Sequence, residues 1–163
     1  VPVWALLLAQ HARNRGYSAS IYDSGIEGWT ADTARTLLER HNPDLIVIMV
    51  YGHNPSASTQ SMPSAILTAQ VIKKADRSIP LAIGGIHPTA LPERTLDETG
   101  ADYVLRGEGT GSITGLLSYI QKGYRISSVP GLCYRTEQKT CFTEQMKNFL
   151  HYKKIRYWMN LIL

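Results

Sequence analysis

Four short stretches of the chain carry residue types from which a ligand site can be built. They are Asp23-Ser24-Gly25, Tyr51-Gly52-His53-Asn54, Gly84-Gly85-Ile86-His87-Pro88-Thr89 and Arg106-Gly107-Glu108-Gly109. Glycine recurs in them, and glycine is the residue that lets backbone turn sharply or a ligand approach closely. The pair Gly84-Gly85 puts no side chain into the space beyond it, which suits a flat or bulky ligand. Glycine pairs also make plain tight turns. Their recurrence in neighbouring stretches favours the ligand.

Other chemistry is less well supported. His53 and His87 each stand alone on a polar loop, where a solvated histidine is the commoner outcome than a metal ligand. Arg106 and Glu108 could act as base and acid at a strand end. They could equally pair with each other, or Glu108 could face the positive end of the next helix. The structural role is the preferred one. No nucleophile–histidine–carboxylate spacing occurs, so an enzyme working through His87 and Glu108 is the weakest reading. Cys133 and Cys141 are eight positions apart and read as buried or edge thiols, not as a disulfide.

The elements that would position these stretches alternate. Residues 2–15 read as a helix, with Pro2 at its start, Trp4, Leu7, Leu8 and His11 at helical spacing, and Gly16 as the stop. Ala19-Ser20-Ile21-Tyr22 reads as a short strand. A helix over 30–41 follows, capped by Thr30 and ended by Asn42-Pro43. Leu45-Ile46-Val47-Ile48-Met49-Val50 is continuous and β-branched, the pattern of a parallel strand buried on both faces. A polar loop over 51–60 leads to a helix from Ser61-Met62-Pro63 to about Asp76. Leu81-Ala82-Ile83 is the next strand, ended by the glycine pair. A short helix from Pro92 to Gly100, a strand over 101–105 and a helix over 112–122 complete the alternation. Leu132-Cys133-Tyr134-Arg135 and Thr140-Cys141-Phe142 read as an added hairpin.

Strands alternating with helices predict an α/β fold with a doubly wound parallel sheet in three layers. In such a sheet, ligands bind beyond the carboxyl ends of the strands, where the four stretches fall. The chain opens on a helix, so the strand expected ahead of it is missing. The expectation is a fragment that lacks its first strand. Three segments are expected: an α/β domain over 1–125, the hairpin over 126–144, and a basic aromatic tail over 145–163.

Length and composition set the bounds. At 163 residues, 44% apolar and 18% charged, the chain is one globular domain's worth. No apolar run reaches the ~18 residues that span a bilayer, so no membrane span is expected. No basic region precedes an apolar stretch at Val1-Pro2, so no secretory leader is expected and the cytoplasm is the expected compartment. The net charge of +4 does not indicate nucleic acid: residues 1–144 carry 13 Lys/Arg and 13 Asp/Glu. The excess is Lys147, Lys153, Lys154 and Arg156, in a tail that also holds Phe149, Tyr152, Tyr157 and Trp158. That tail reads either as an amphipathic helix or, by preference, as a break in the normal continuation.

One resemblance is specific. It is carried by Pro80-Leu81-Ala82-Ile83-Gly84-Gly85-Ile86-His87-Pro88-Thr89-Ala90-Leu91-Pro92-Glu93-Arg94-Thr95-Leu96, then Ala101-Asp102-Tyr103-Val104-Leu105-Arg106-Gly107-Glu108-Gly109. Pro43-Asp44-Leu45-Ile46-Val47-Ile48, Trp4 to Ala9 with Arg15-Gly16-Tyr17, and Val129-Pro130-Gly131-Leu132-Cys133-Tyr134-Arg135 agree in order and spacing. Together these segments, over about residues 1–143, resemble the cobalamin-binding domain at the N-terminus of many radical S-adenosylmethionine enzymes.

The resemblance implies a flavodoxin-like, Rossmann-like domain that holds a corrinoid against the carboxyl edge of its sheet. Gly84 and Gly85 would make room for the nucleotide tail. Tyr51, Gly52, His53, His87, Pro88, Thr89, Arg106, Gly107, Glu108 and Gly109 would complete the surface. The Asp-x-His-x-x-Gly motif that supplies a cobalt-ligating histidine elsewhere in the family does not occur here. Met49 stands near a point where serine is usual. The Cys-x-x-x-Cys-x-x-Cys motif of an iron–sulfur cluster is absent too, so cluster and S-adenosylmethionine would belong to a barrel domain of the parent. The parent would be a methyltransferase or a cyclase. A flavodoxin-like interaction module without a ligand is the alternative.

Overall fold

The computed structural model describes residues 3–24, 28–52 and 54–145. Gly25, His53 and the basic aromatic tail beyond Gln145 lie outside them.

Local chemistry sets most element ends. Helix α1 spans Val3–Arg13 and stops at Gly16, whose φ of +87° suits glycine. It buries Leu8, Ala9 and Ala12, whereas Trp4 and Leu7, at the same helical spacing, are exposed. Helix α2 spans Ala31–His41. Thr30 and Thr33 cap it reciprocally: the Thr33 amide donates to Thr30 Oγ1 at 3.1 Å, and the Thr30 amide to Thr33 Oγ1 at 2.7 Å. Asn42, at φ +39°, ends it by donating to the Leu38 carbonyl at 2.8 Å.

Five strands form one open sheet in the order β1 (Ile46–Val50), β2 (Leu81–Gly85), β3 (Tyr103–Leu105), β4 (Leu132–Arg135), β5 (Thr140–Phe142). The first three are parallel, and β4 and β5 run antiparallel. The expected hairpin therefore forms, and its first strand pairs directly onto β3. The sheet is mixed and mostly parallel, of flavodoxin-like α/β type.

The expected strand at Ala19-Ser20-Ile21-Tyr22 does not form: these residues pair with no strand. Side chains hold them instead. Arg13 donates to the Ala19 carbonyl, and Tyr22 donates its hydroxyl to the Gly28 carbonyl while meeting Trp29 edge-on. Among the described residues, β1 is consequently the edge of the sheet. This corrects the expectation that it is buried on both faces. Ile46, Val47, Ile48 and Met49 are half-buried, and the strand buried throughout is β2.

Helix α3 (Pro55–Gln60) occupies what reads in sequence as a loop. Asn54 caps it through a bond from the Ala57 amide at 2.8 Å, and Pro55 takes the first helical position. Then come α4 (Met62–Ala75), the short α5 (Ile86–Ala90), α6 (Pro92–Thr99) and α7 (Thr110–Lys122).

The strand alternation sorts two cores. Val50, Leu81, Ile83, Val104 and Cys133 face α4 and α6, packing with Ala69, Ile72 and Leu96. Ala82, Leu105 and Leu132 face the other way, against Leu8 of α1 and Ile113 and Leu116 of α7. Both crossover helices thus share one face, and α1 and α7 cover the other.

Candidate functional site

The carboxyl ends of β1, β2 and β3 converge, and a hydroxyl ties the first two together. Ser58, fully buried on α3, donates its hydroxyl to the Val50 carbonyl at 2.7 Å. The same oxygen accepts the backbone amide of His87 at 3.1 Å. Sequence reasoning missed Ser58. The signal was available, since Asn54-Pro55 opens a helix that brings it back over the strand end.

The glycines divide the work. A Cβ on Gly52 would lie 2.4 Å from Ala57 Cβ and 2.7 Å from the Ser58 amide, so Gly52 lets α3 settle onto the strand end. A Cβ on Gly85 would lie 2.1 Å from the Val50 carbonyl oxygen, and its φ is +143°. Gly85 therefore serves close backbone approach. Gly84 differs: the nearest atoms to its Cβ position are Met49 Sδ and Cε, both at 3.1 Å, then Leu105 Cβ at 3.6 Å. Only the flexible end of a methionine stands over it.

Gly84 faces the α1 and α7 side of the sheet, where Met49 and Leu105 pack. Met49 pairs across the ladder with Gly84. Tyr51, two residues on from Met49, lies on the same face. Its ring stacks on Trp4 of α1, centroids 5.1 Å apart and planes 15° from parallel. Leu8, one helical turn on from Trp4, lies near Gly109, whose Cβ position is 3.6 Å from Leu8 Cδ2. Burial, then the Glu108 carboxylate, raises the Tyr51 pKa above 10. The Trp4–Tyr51 stack is also absent from the sequence reading, because two aromatics 47 positions apart carry no periodic signal.

The loop after Gly85 is held in place. His87 Nδ1 lies 3.0 Å from Thr59 Oγ1, while His87 Nε2 is buried with no partner. The Thr59 hydroxyl also contacts the Pro55 carbonyl at 3.2 Å. If its proton goes there, Nδ1 is the donor to Thr59 and Nε2 keeps a bare lone pair. Pro88 is buried, and Thr89 Oγ1 accepts the Gly107 amide at 3.0 Å, joining this loop to the end of β3.

Among the described residues Arg106 and Glu108 form no ion pair, and no side chain caps α7. The Arg106 guanidinium sits 5.2 Å over the Phe142 ring, its Nε buried without a partner. Glu108 is exposed. A cavity of about 210 Å3 lies here, lined by Arg106, Gly107, Glu108, Gly109, Ser112 and Gly131 among others. A larger cleft, about 580 Å3, runs between the end of α1, α7 and the following turn; none of the expected site residues lines it.

Tyr51, Gly52, Gly84, Gly85, His87, Pro88, Thr89, Arg106, Gly107, Glu108 and Gly109 thus gather at one edge of the sheet. Asp23 and Ser24 lie in the stretch that forms no strand. His53 lies outside the described residues. The thiols are far from use: Cys133 faces the α4 core, and Cys141, paired with Tyr134, faces the opposite side. They cannot bridge without backbone movement.

This edge belongs to a known class. The chain is a member of the B12-binding domain family, whose profile, described as the B12 binding domain, matches residues 1–117. The resemblance drawn from the residues is borne out at that level. Its particular relatives are these. An uncharacterised methyltransferase of Pyrococcus horikoshii is 27% identical over 139 residues, covering 85% of this chain and 28% of that protein. The radical S-adenosylmethionine methyltransferase TsrM of Kitasatospora setae, in a structure with tryptophan substrate and a cosubstrate analogue, superposes with a TM-score of 0.76 at 18% identity, over 88% of this chain and 27% of that one. The cobalamin-dependent S-adenosylmethionine radical enzyme OxsB, with aqua-cobalamin and S-adenosylmethionine bound, gives 0.71 at 18% identity, over 91% of this chain and 20% of that one. The two structures establish the shared fold. The chain spans between a fifth and three tenths of the length of these relatives. No helix among the described residues is long and apolar enough to cross a membrane.

Proposed function

We propose that this chain is the cobalamin-binding module of a radical S-adenosylmethionine methyltransferase or cyclase. The carrying observation is the hollow over Gly84, closed only by the movable end of Met49, at a glycine-lined sheet edge in a B12-binding family member. The residues fit a corrinoid. A flat ring needs a surface free of projecting side chains, and the exposed Gly107 contributes to one. A tail needs a slot into the body of the domain, and at Gly84, on the α1 side of the sheet, one would open where the end of Met49 moves aside. His87 Nε2 and Arg106 Nε are buried at this edge without a partner, so each has hydrogen-bonding capacity that the chain itself does not use.

When bound, the cofactor supplies a cobalt centre able to accept and release a methyl group or to assist a radical step. This chain's residues bind and orient it. Tyr51, Gly52 and the 84–89 loop form one wall; Arg106 to Gly109 form the other. Ser58 fixes the walls relative to each other, and the Trp4–Tyr51 stack shields the mouth from water. The contacts fall within residues 1–125, and the 126–144 hairpin covers the far edge of the parallel strands. Cluster and S-adenosylmethionine belong to a barrel domain of the parent. The residues described include no group of three or more potential metal ligands. A cytoplasmic setting goes with two free thiols, and the even charge over residues 1–144 goes with a partner other than nucleic acid.

The test is retention of colour. The full chain mixed with hydroxocobalamin should carry a red chromophore through gel filtration. A colourless protein peak at high cobalamin would overturn the proposal and favour an interaction module.

A further inference from the structure

Met49 has a role that neither the family match nor the glycine motif assigns. We infer that its thioether is a displaceable plug which sets how tightly the slot takes a ligand with a nucleotide tail. The inference rests on the corrinoid reading above.

Three observations carry it. First, the plug sits in the hole. Met49 Sδ and Cε each lie 3.1 Å from where a Gly84 side chain would begin, and the two residues are direct partners across the β1–β2 ladder. Any group entering the hollow competes with that thioether for the same space. Second, the plug can leave. Methionine is unbranched, with three rotatable bonds and a polarizable sulfur. Met49 is half-buried on the edge strand, so the chain end has somewhere to go. Third, the other walls cannot yield in the same way. Leu105 is fully buried between β2 and β4, and Leu8 is 5% exposed between α1 and the sheet. The Gly85 side of the pair is closed by the Val50 main chain. The hollow therefore has one soft side, and it is Met49.

The consequence is a built-in competitor. The packing that Met49 makes over Gly84 must be given up by whatever ligand part enters. A ligand that lies on the sheet edge without entering the hollow leaves the plug in place. Affinity for a tailed corrinoid should depend on residue 49, and affinity for a tail-less one should not.

The probes are hydroxocobalamin and cobinamide, which is the corrinoid without the nucleotide tail. Each is titrated by absorbance against the full chain and its variants. Met49→Ala should bind hydroxocobalamin about fourfold more tightly than wild type, the equivalent of ~0.8 kcal/mol for one buried methyl-sized group. Its cobinamide affinity should be unchanged. Gly84→Ala should weaken hydroxocobalamin alone, and the double variant should recover part of that loss. Should Met49→Ala precipitate, Gly84→Ala decides: its added atom meets only a flexible tip, so the fold is kept, and unchanged hydroxocobalamin affinity would sink the inference. Unchanged or weaker hydroxocobalamin binding by folded Met49→Ala, or an equal change for cobinamide, would also sink it and leave the cobalamin assignment standing. A wild-type chain that binds neither corrinoid removes both.

Discussion

Adding one methyl group at Gly85 tests how the strand ends are built. In Gly85→Ala the new Cβ would begin 2.1 Å from the Val50 carbonyl oxygen and 2.8 Å from its carbon. Real Cβ contacts begin near 3.0 Å, and both neighbours are main chain, so the end of β1 has to move away by about 0.9 Å. Alanine at φ +143° adds strain of ~1–3 kcal/mol. Displacing Val50 loosens its bond from Ser58, and a buried carbonyl left unpaired costs ~1–3 kcal/mol. Together these give about 2–6 kcal/mol, a large share of the ~5–15 kcal/mol that holds a domain. The melting temperature should fall by roughly 5–25 °C. Thermal unfolding followed by circular dichroism measures the shift and urea unfolding the free energy, with Gly84→Ala as the control. That neighbouring change meets only the Met49 tip and should cost less than ~1 kcal/mol. A Gly85→Ala chain as stable as wild type, or a Gly84→Ala chain equally damaged, would refute the division of labour between the two glycines.

Ser58→Ala leaves both the Val50 carbonyl and the His87 amide without their partner and should cost ~1–3 kcal/mol in the same urea assay. Burial, then the neighbouring Tyr119 and Asp102, pushes the Tyr103 pKa up to about 12. The folded chain keeps that proton when the unfolded chain releases it near pH 10, so this contribution is full below pH 10 and is lost as pH rises toward 12. Tyr103→Phe should flatten that alkaline fall in stability. Burial pushes the Cys133 thiol up to about 11, so on the folded chain a maleimide at neutral pH should label the half-exposed Cys141 first, as peptide mass mapping will read.

The sequence and the structure agree where a signal is local. Thr30, Thr33 and Asn42 mark the ends of α2 because capping is written in neighbouring residues. Gly84-Gly85 and Arg106 to Gly109 fall at strand ends because strands here alternate with helices. Disagreement begins where partners are distant. Ala19-Ser20-Ile21-Tyr22 has strand composition, yet a strand needs a neighbour, and none among the described residues pairs with it. Leu45 to Val50 looks doubly buried, yet β1 lies at an edge. Trp4 and Leu7 keep helical spacing but fall on the exposed side, because α1 packs on the sheet through Leu8, Ala9 and Ala12. At the site, two glycines with the same letter differ in what stands opposite them, main chain for one and a thioether for the other. Only the register of β1 against β2 reveals that.

The face that carries Gly84 is roofed by α1 and α7, and Tyr17, just beyond α1, meets Ser118 of α7 across 101 positions. This arrangement imposes an order on synthesis. Leu8 leaves the ribosome early, but the core it joins waits for Ile113 and Leu116. At ~5–20 residues per second, that wait is roughly 5–20 s. During it, Ala82 and Leu105 can pack with Leu8, Leu45, Val47 and Met49 but lack the residues of α7. The apolar face formed by Ala82 and Leu105 therefore gains its cover from α7 only after translation has passed Leu116, and stays open until then.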